Sequence, residues 1–423
     1  MFGDMGGLRP ALAKFGVTLT LQEQSEVLGN LSGGRRQGFE YDGQTTGTLQ
    51  MDTQKAFGWN GGLFNVSGLQ IHGRNLSTDD LLVLQSVSNI EADPATRLWE
   101  LWYQQKLFDD KIDIKVGQQS IDQEFILSQN SGVFLNSSMA WTQLPASDMP
   151  GGGPVSPLSA LGVRLHAQPT DSISLLGGVF NGSPSPSNVG DPQKRNPNGL
   201  SFPLNGGVLA IAELQYAYPP QGAPGADTAL TRSYKIGAWY DSEKFSDLRA
   251  DTMGLSLADP ASDGVAAARR GDFAFYGVVD QMLYRFENDP GRNIDLFVKP
   301  TFTPLQDRNL VNFSLNGGLT MQEPFVGRAK DVFGVGAGYA RISDSASAFD
   351  QDRAFFNPGV YSPVRRSETF IEATYQYQAT DWWQIQPDFQ YIFNPGAGVA
   401  NPDNPAQKVK NEAVIGARTT ITF

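Results

Sequence analysis

Cysteine is absent from the 423 residues, and only two histidines occur, His72 and His166. Disulfide scaffolds, thiolate nucleophiles and cysteine-ligated zinc are excluded together, and only these two side chains remain for imidazole chemistry. Long apolar runs are missing as well. The longest, Val208 to Ala212, has five residues, whereas a membrane-spanning helix needs roughly 20. Positive charge is scarce: 32 Lys and Arg stand against 44 Asp and Glu, a net charge of -12. Nucleic-acid affinity rests on clustered Lys and Arg, so DNA and RNA are not expected as partners. Charged residues make up 18%, apolar residues 40%, and 46 Gly and 26 Pro interrupt the chain. Disorder and long helical repeats are both disfavoured. Met1-Phe2-Gly3-Asp4 shows no basic stretch leading into an apolar core, so the expectation is a signal peptide replaced by an initiator methionine.

What is present is alternation. Side chains of a strand face opposite sides in turn, and a lipid-facing barrel wall reads apolar outward and polar inward. Ile371, Ala373, Tyr375 and Tyr377 alternate with Glu372, Thr374, Gln376 and Gln378; Ala413, Ile415, Ala417 and Ile421 interleave with Glu412, Gly416, Arg418 and Thr420. Upstream, Val17, Leu19 and Leu21 oppose Thr18, Thr20 and Gln22. Phe39, Tyr41, Leu49 and Met51 oppose Glu40, Asp42, Gln50 and Asp52 across about fourteen residues. Crossing a 25 Å apolar band at about 40° takes roughly ten residues, longer than the usual soluble strand. Length favours a membrane barrel.

The pattern predicts 16 strands, starting near residues 17, 38, 62, 97, 111, 161, 172, 207, 232, 273, 293, 309, 331, 367, 382 and 411. The fold class is therefore all-β, a 16-stranded antiparallel transmembrane β-barrel. Residues 1-16 form an N-terminal segment and 17-423 one barrel domain. Parity switches within 62 to 72 and 273 to 286 read as bulges. Tight turns such as Phe108-Asp109-Asp110 and Thr380-Asp381 largely alternate with long connections, the asymmetry of periplasmic turns and extracellular loops. The joins at 219 to 231 and 305 to 308 fit this least well.

Residues 6 to 16 read as a short helix closed by Gly16, placed to dock at the periplasmic mouth. Ser77-Thr78-Asp79-Asp80 ahead of Leu81, Leu82, Leu84 and Val87 reads as an N-capped amphipathic helix in a long loop, packing on the inner rim of the channel. Residues 118 to 160 form the longest loop, expected to fold inward.

Several stretches resemble the carbohydrate-selective porin (OprB) family: Gly3-Asp4-Met5-Gly6-Gly7-Leu8-Arg9, with Met5 where the family usually has tryptophan, Gly29-Asn30-Leu31-Ser32-Gly33-Gly34, Leu69-Gln70-Ile71-His72-Gly73-Arg74, Arg97-Leu98-Trp99-Glu100-Leu101-Trp102-Tyr103, and Tyr234-Lys235-Ile236-Gly237-Ala238-Trp239-Tyr240. They span most of the chain. The resemblance implies a 16-stranded outer-membrane channel for passive sugar uptake, with charged residues around a narrow eyelet and no cofactor. Periodicity alone does not specify sugar.

A sugar-selective pore needs donors and acceptors to replace water around hydroxyls, because an unpaired polar group costs about 1 to 3 kcal/mol. Glu100 alternates inward if Trp99, Leu101 and Tyr103 face lipid. Arg74 ends a strand; Glu91 and Arg97 flank the return from the helical loop; Asp122 and Glu124 open the longest loop; Arg164 lies on a well-alternating strand. Each of these charges is equally at home as a hydrated wall or loop residue. Trp102 and Trp239 fall on inward parity, where a ring could carry the C–H face of a pyranose; the plainer reading is the interfacial belt. No serine sits in a Gly-x-Ser-x-Gly elbow and no glycine loop precedes Lys-Ser or Lys-Thr, so an enzyme is not expected. The expectation is passive diffusion of neutral mono- and disaccharides, with outer-membrane lipid or lipopolysaccharide around the barrel and homo-oligomers allowed. The alternative is a structural or adhesive barrel with a plugged lumen.

Overall fold

The structure is a computed structural model that describes residues 1-186, 190-220 and 229-423. Sixteen antiparallel strands close into one barrel. They are β1 (Val17–Gly34), β2 (Gly38–Asp52), β3 (Gly62–Gly73), β4 (Ala95–Leu107), β5 (Ile112–Gln119), β6 (Ala160–Thr170), β7 (Ile173–Asn181) and β8 (Val208–Tyr218), then β9 (Arg232–Asp251), β10 (Ala266–Phe286), β11 (Asp289–Phe302), β12 (Val311–Gln322), β13 (Val332–Ile342), β14 (Ser367–Thr380), β15 (Trp383–Phe393) and β16 (Lys410–Thr422). Each strand pairs with its sequence neighbour, and β16 returns to β1 in a register that sets Gln24 opposite Thr420 and Glu26 opposite Arg418. Closure leaves no free sheet edge in the wall. Part of the join 219 to 231 lies outside the described residues.

The helix at Leu8–Ala13 lies at the short-turn end. Its Arg9 donates to the Leu19 carbonyl at 3.2 Å and to the Phe423 carbonyl, tying the first and last strands together. Further round, the outward rows follow the alternation: Ile236, Phe275, Leu319, Ile371 and Ile415 are all exposed, as a hydrocarbon-facing wall requires.

Inward rows depart from it. Trp239, Tyr276, Val278, Phe297, Phe370 and Ile392 face the lumen and are buried, because the loops fill it. Residues 120 to 159 cross the interior, where Phe125, Ile126, Trp141 and Leu144 pack with Ile211, Trp239, Tyr276 and Val278. Leu76, Leu81, Val87, Phe134 and Met139 pack with Leu28, Phe297, Phe370 and Val414. Fully burying such a side chain contributes about 1.5 to 3 kcal/mol.

Two local readings are corrected. Residues from Ser77 make one wide helical turn, Ser77–Leu81, stopped by Leu82 at φ 63°, in place of an amphipathic helix. β3 holds continuous register with β2; the irregularity lies in its pairing with β4, where Ser67 faces Glu100 and Gly68 faces Leu98, leaving Trp99 as the extra residue. Leu69 and Ile71 only mimic a parity switch, since they face inward under the folded loops. In β10 a shift does occur, between Met282 and Tyr284.

Candidate functional site

The inward face of β4, β5 and β6 gathers charge. Register places Gln104 beside Lys115, and then Asp113 beside His166 and Lys115 beside Arg164. The Arg164 guanidinium is bound to Asp113 and sets its Nε 2.6 Å from Glu124 Oε2. Lys115 pairs with the same Glu124. His166 Nδ1 lies 3.1 Å from Asp113 Oδ2 and Gln104 Nε2 donates to Asp113 Oδ1 at 3.0 Å. Two cations and two carboxylates are thus interlocked, with Glu124 supplied by the loop rather than the wall.

The loop is positioned by wall carboxylates. Glu213 accepts Ile126 N at 3.1 Å, Asp280 accepts the Ser128 hydroxyl at 2.5 Å, and Glu372 accepts Leu135 N at 2.6 Å and Asn136 N at 3.2 Å. Lys299 Nζ donates to the Met139 and Ala140 carbonyls, both at 2.8 Å, where a cation meets the carbonyl end of a helical turn. Reciprocally, Asp148 of the loop accepts Leu310 N and Val311 N at 2.6 and 3.1 Å, and burial holds its carboxyl well above the usual range. Glu368 fixes the other inward loop through Leu84 N and Gln85 N at 2.9 and 2.8 Å.

Further round the wall, Arg418 pairs with Glu26 and donates to Asn89 Oδ1 at 2.7 Å. Glu91 lies nearby, its Oε1 accepting Ser77 N at 3.2 Å. Desolvation, with Asp42 and Glu26 adding repulsion, pushes its carboxyl up to about 8.

The nominated residues separate accordingly. Arg164 and Glu124 meet directly. Glu100 is inward and buried, its Oε1 accepting Ser120 N at 3.1 Å, and Asp122 accepts the Ser120 hydroxyl at 2.5 Å; both secure the root of the long loop, and burial raises the Asp122 carboxyl. Arg97 is inward and buried, donating to the Asp93 carbonyl at 3.4 Å, while its Nε and Nη1 have no hydrogen-bond partner among the described residues. Gly199, at φ 67°, presses onto β4 there; a Cβ would sit 2.0 Å from the Leu98 carbonyl oxygen. Arg74 is exposed and faces Glu40 at 3.6 Å, apart from the interlocked cluster. Trp102 carries the Lys115 ammonium 4.3 Å from its ring centroid, so that face is taken. Trp239 is 1% exposed beneath the loop; it is a packing residue with no ring face open to a solute, contrary to the expected platform. Asp113, Lys115, Glu26 and Arg418 were not singled out, although inward parity on neighbouring strands with opposite charge marked them.

The whole wall and the site can now be set beside known proteins. The description "Carbohydrate-selective porin, OprB family" matches residues 36-423. The chain belongs to that family. Porin B of Pseudomonas aeruginosa is 27% identical over 96% of this chain and 88% of its own length. The putative porin QuiX of Acinetobacter baylyi is 24% identical over 96% and 90%. The high-pH structure of Pseudomonas putida OprB superposes with a TM-score of 0.85 at 25% identity, covering 99% of this chain and 97% of that one. As an OprB-family porin, the protein is an outer-membrane β-barrel channel of a carbohydrate-selective class. Its short turns accordingly face the periplasm and its long loops the exterior.

Proposed function

We propose that the barrel admits small neutral mono- and disaccharides down their concentration gradient, and that the Asp113, Lys115, Glu124, Arg164 cluster is the selective element. The observation that carries this is the interlocking of two cations and two carboxylates on one stretch of inner wall. Guanidinium forks and carboxylates present donors and acceptors matched to adjacent hydroxyls. Because each already has a protein partner, a passing sugar exchanges hydrogen bonds instead of gaining new ones, and binding stays weak, on the order of millimolar. Weak binding keeps release fast. Glu100 and Asp122 hold the root of the loop that brings Glu124 to this cluster, Glu91 and Arg97 act on the passage further round the wall, and Arg74 belongs to its outer approach.

The channel works without cofactor or chemical step and is no enzyme; its surroundings are outer-membrane lipid and lipopolysaccharide, and it takes no nucleic acid. Liposome swelling tests the reading. Monosaccharides should enter faster than disaccharides, and an amino acid entering faster than a monosaccharide of equal size would overturn the sugar assignment.

A further inference from the structure

Two carboxylates stand directly opposite each other on the inner face of β9 and β10, and the charged cluster uses neither. Register pairs Asp241 with Asp272, so both side chains leave the sheet on the same side, their Cβ atoms about 5 Å apart. Both are fully buried. Asp241 Oδ1 accepts Glu243 N at 2.8 Å, and Asp272 Oδ1 accepts Phe273 N at 2.9 Å and Asn309 Nδ2 at 2.8 Å. The second oxygen of each carboxylate has no partner among the described residues. Asn309 Oδ1 has none either, on an amide that is equally buried and is held beside Asp272 by its Nδ2, which also donates to the Leu305 carbonyl at 2.9 Å.

The surroundings offer no compensation. Leu209, which faces Asp241 from β8, and Ala274, two residues along β10 from Asp272, are fully buried. Arg308, beside Asn309 in the chain, is committed elsewhere: its Nε donates to Asp307 Oδ1 at 2.8 Å, and its Nη1 to the Gly271 and Arg270 carbonyls at 2.5 and 3.1 Å. Like charges opposite each other in a sheet are destabilising, and a buried charge persists where it is paired or coordinates a metal. A loop carbonyl converges on the same place. A Cβ on Gly182 would lie 2.9 Å from both Asp241 carboxylate oxygens and closer still to the Gly206 carbonyl oxygen, so glycine at 182 lets that carbonyl approach the carboxylate.

We propose that Asp241, Asp272 and Asn309 bind a divalent cation, calcium by its chemistry. Three orphaned oxygens from two carboxylates and one amide, with a backbone carbonyl at their edge, form an all-oxygen set whose double negative charge a divalent ion neutralises. Calcium accepts irregular sets of carboxylate and carbonyl oxygens at 2.3 to 2.6 Å, whereas magnesium demands an octahedron and retains several waters, for which these buried atoms leave no access. The ion would join β9, β10 and the connection 303 to 310. That connection leads into Leu310 and Val311, whose N–H groups hold Asp148 of the inward loop. The cation clamps the wall and takes no part in solute passage, so the inference is independent of sugar selectivity.

Equilibrium dialysis with radioactive calcium tests it, on protein refolded in detergent free of lipopolysaccharide and stripped with EDTA. One calcium ion per chain should bind, with half-saturation on the order of 0.1 to 1 mM, undiminished by an equal concentration of magnesium. Asp241→Asn/Asp272→Asn should lose that ion while the barrel stays heat-modifiable, and Asp263→Asn, on the exposed connection after β9, should keep it. No binding to the wild type, as two protonated carboxyls would give, overturns the proposal, and so does binding that persists in the folded double variant. Terbium locates the ion with every ligand intact. Its emission, excited through Trp239 two residues from Asp241 on the same face of β9, should be displaced by calcium and fall at least twofold in Trp239→Phe; absent or unchanged emission overturns the assignment.

Discussion

Arg164 of β6 and Glu124 of the inward loop meet at 2.6 Å, so the same contact that completes the charged cluster also fastens the loop to the wall. Removing one partner of a buried pair leaves the other uncompensated, at a cost of about 3 to 5 kcal/mol. Arg164→Ala should leave Asp113 and Glu124 short of a cation, shift reversal potentials toward cation selectivity and slow sugar entry relative to salt. Arg164→Lys restores the charge but loses the fork, and should recover ion selectivity more fully than sugar flux. Unchanged selectivity in planar bilayers would remove the cluster from the pathway.

Glu372 holds the middle of the same loop through the Leu135 and Asn136 backbone N–H groups. Glu372→Ala leaves both buried donors unsatisfied, about 1 to 3 kcal/mol each. Hydrogen exchange across residues 133 to 140 should accelerate at least tenfold and open-channel current noise should rise, with the barrel still resistant to SDS until heated. Protection equal to wild type would show that apolar packing alone fixes the loop.

Strand positions were legible because hydrocarbon imposes one rule on every outward residue; Ile371, Ala373 and Tyr375 obey it and β14 begins where alternation begins. The rule assumed for the inner face was wrong in part. An inner wall reads polar only where it meets water, and Trp239, Phe297 and Phe370 meet loops instead. The site was half legible for a related reason. Arg164 and Glu124 are conspicuous singly, but Asp113 and Lys115 gain meaning only from a register that sets them opposite His166 and Arg164. Trp99 to Tyr103 revealed the family without revealing that Trp99 is the bulge.

Trp239 separates packing from transport. Trp239→Ala empties a large volume beneath the loop, and Phe or Trp truncations in cores cost about 3 to 5 kcal/mol. The temperature at which the barrel unfolds in SDS should fall, while the ratio of glucose-sized to disaccharide flux stays within twofold. A selective loss of sugar entry with unchanged thermal behaviour would return Trp239 to the solute pathway.

Glu91 supplies the pH dependence. Its carboxyl is raised from 4.5 to about 8 in the folded chain, first by desolvation and then by Asp42 and Glu26. Between those values the folded state holds a proton that the unfolded or undocked segment releases, so docking of the loop is strongest below pH 4.5 and weakens as pH rises toward 8. Above about 8 the folded carboxyl ionises too and the dependence flattens. Hydrogen exchange of residues 77 to 91, corrected for intrinsic rates, should therefore quicken from pH 5 to 8, and Glu91→Gln, which keeps an acceptor for Ser77 N but cannot ionise, should abolish the trend. A slope that survives in Glu91→Gln would assign the titration to Glu26, Asp42 or another wall carboxylate.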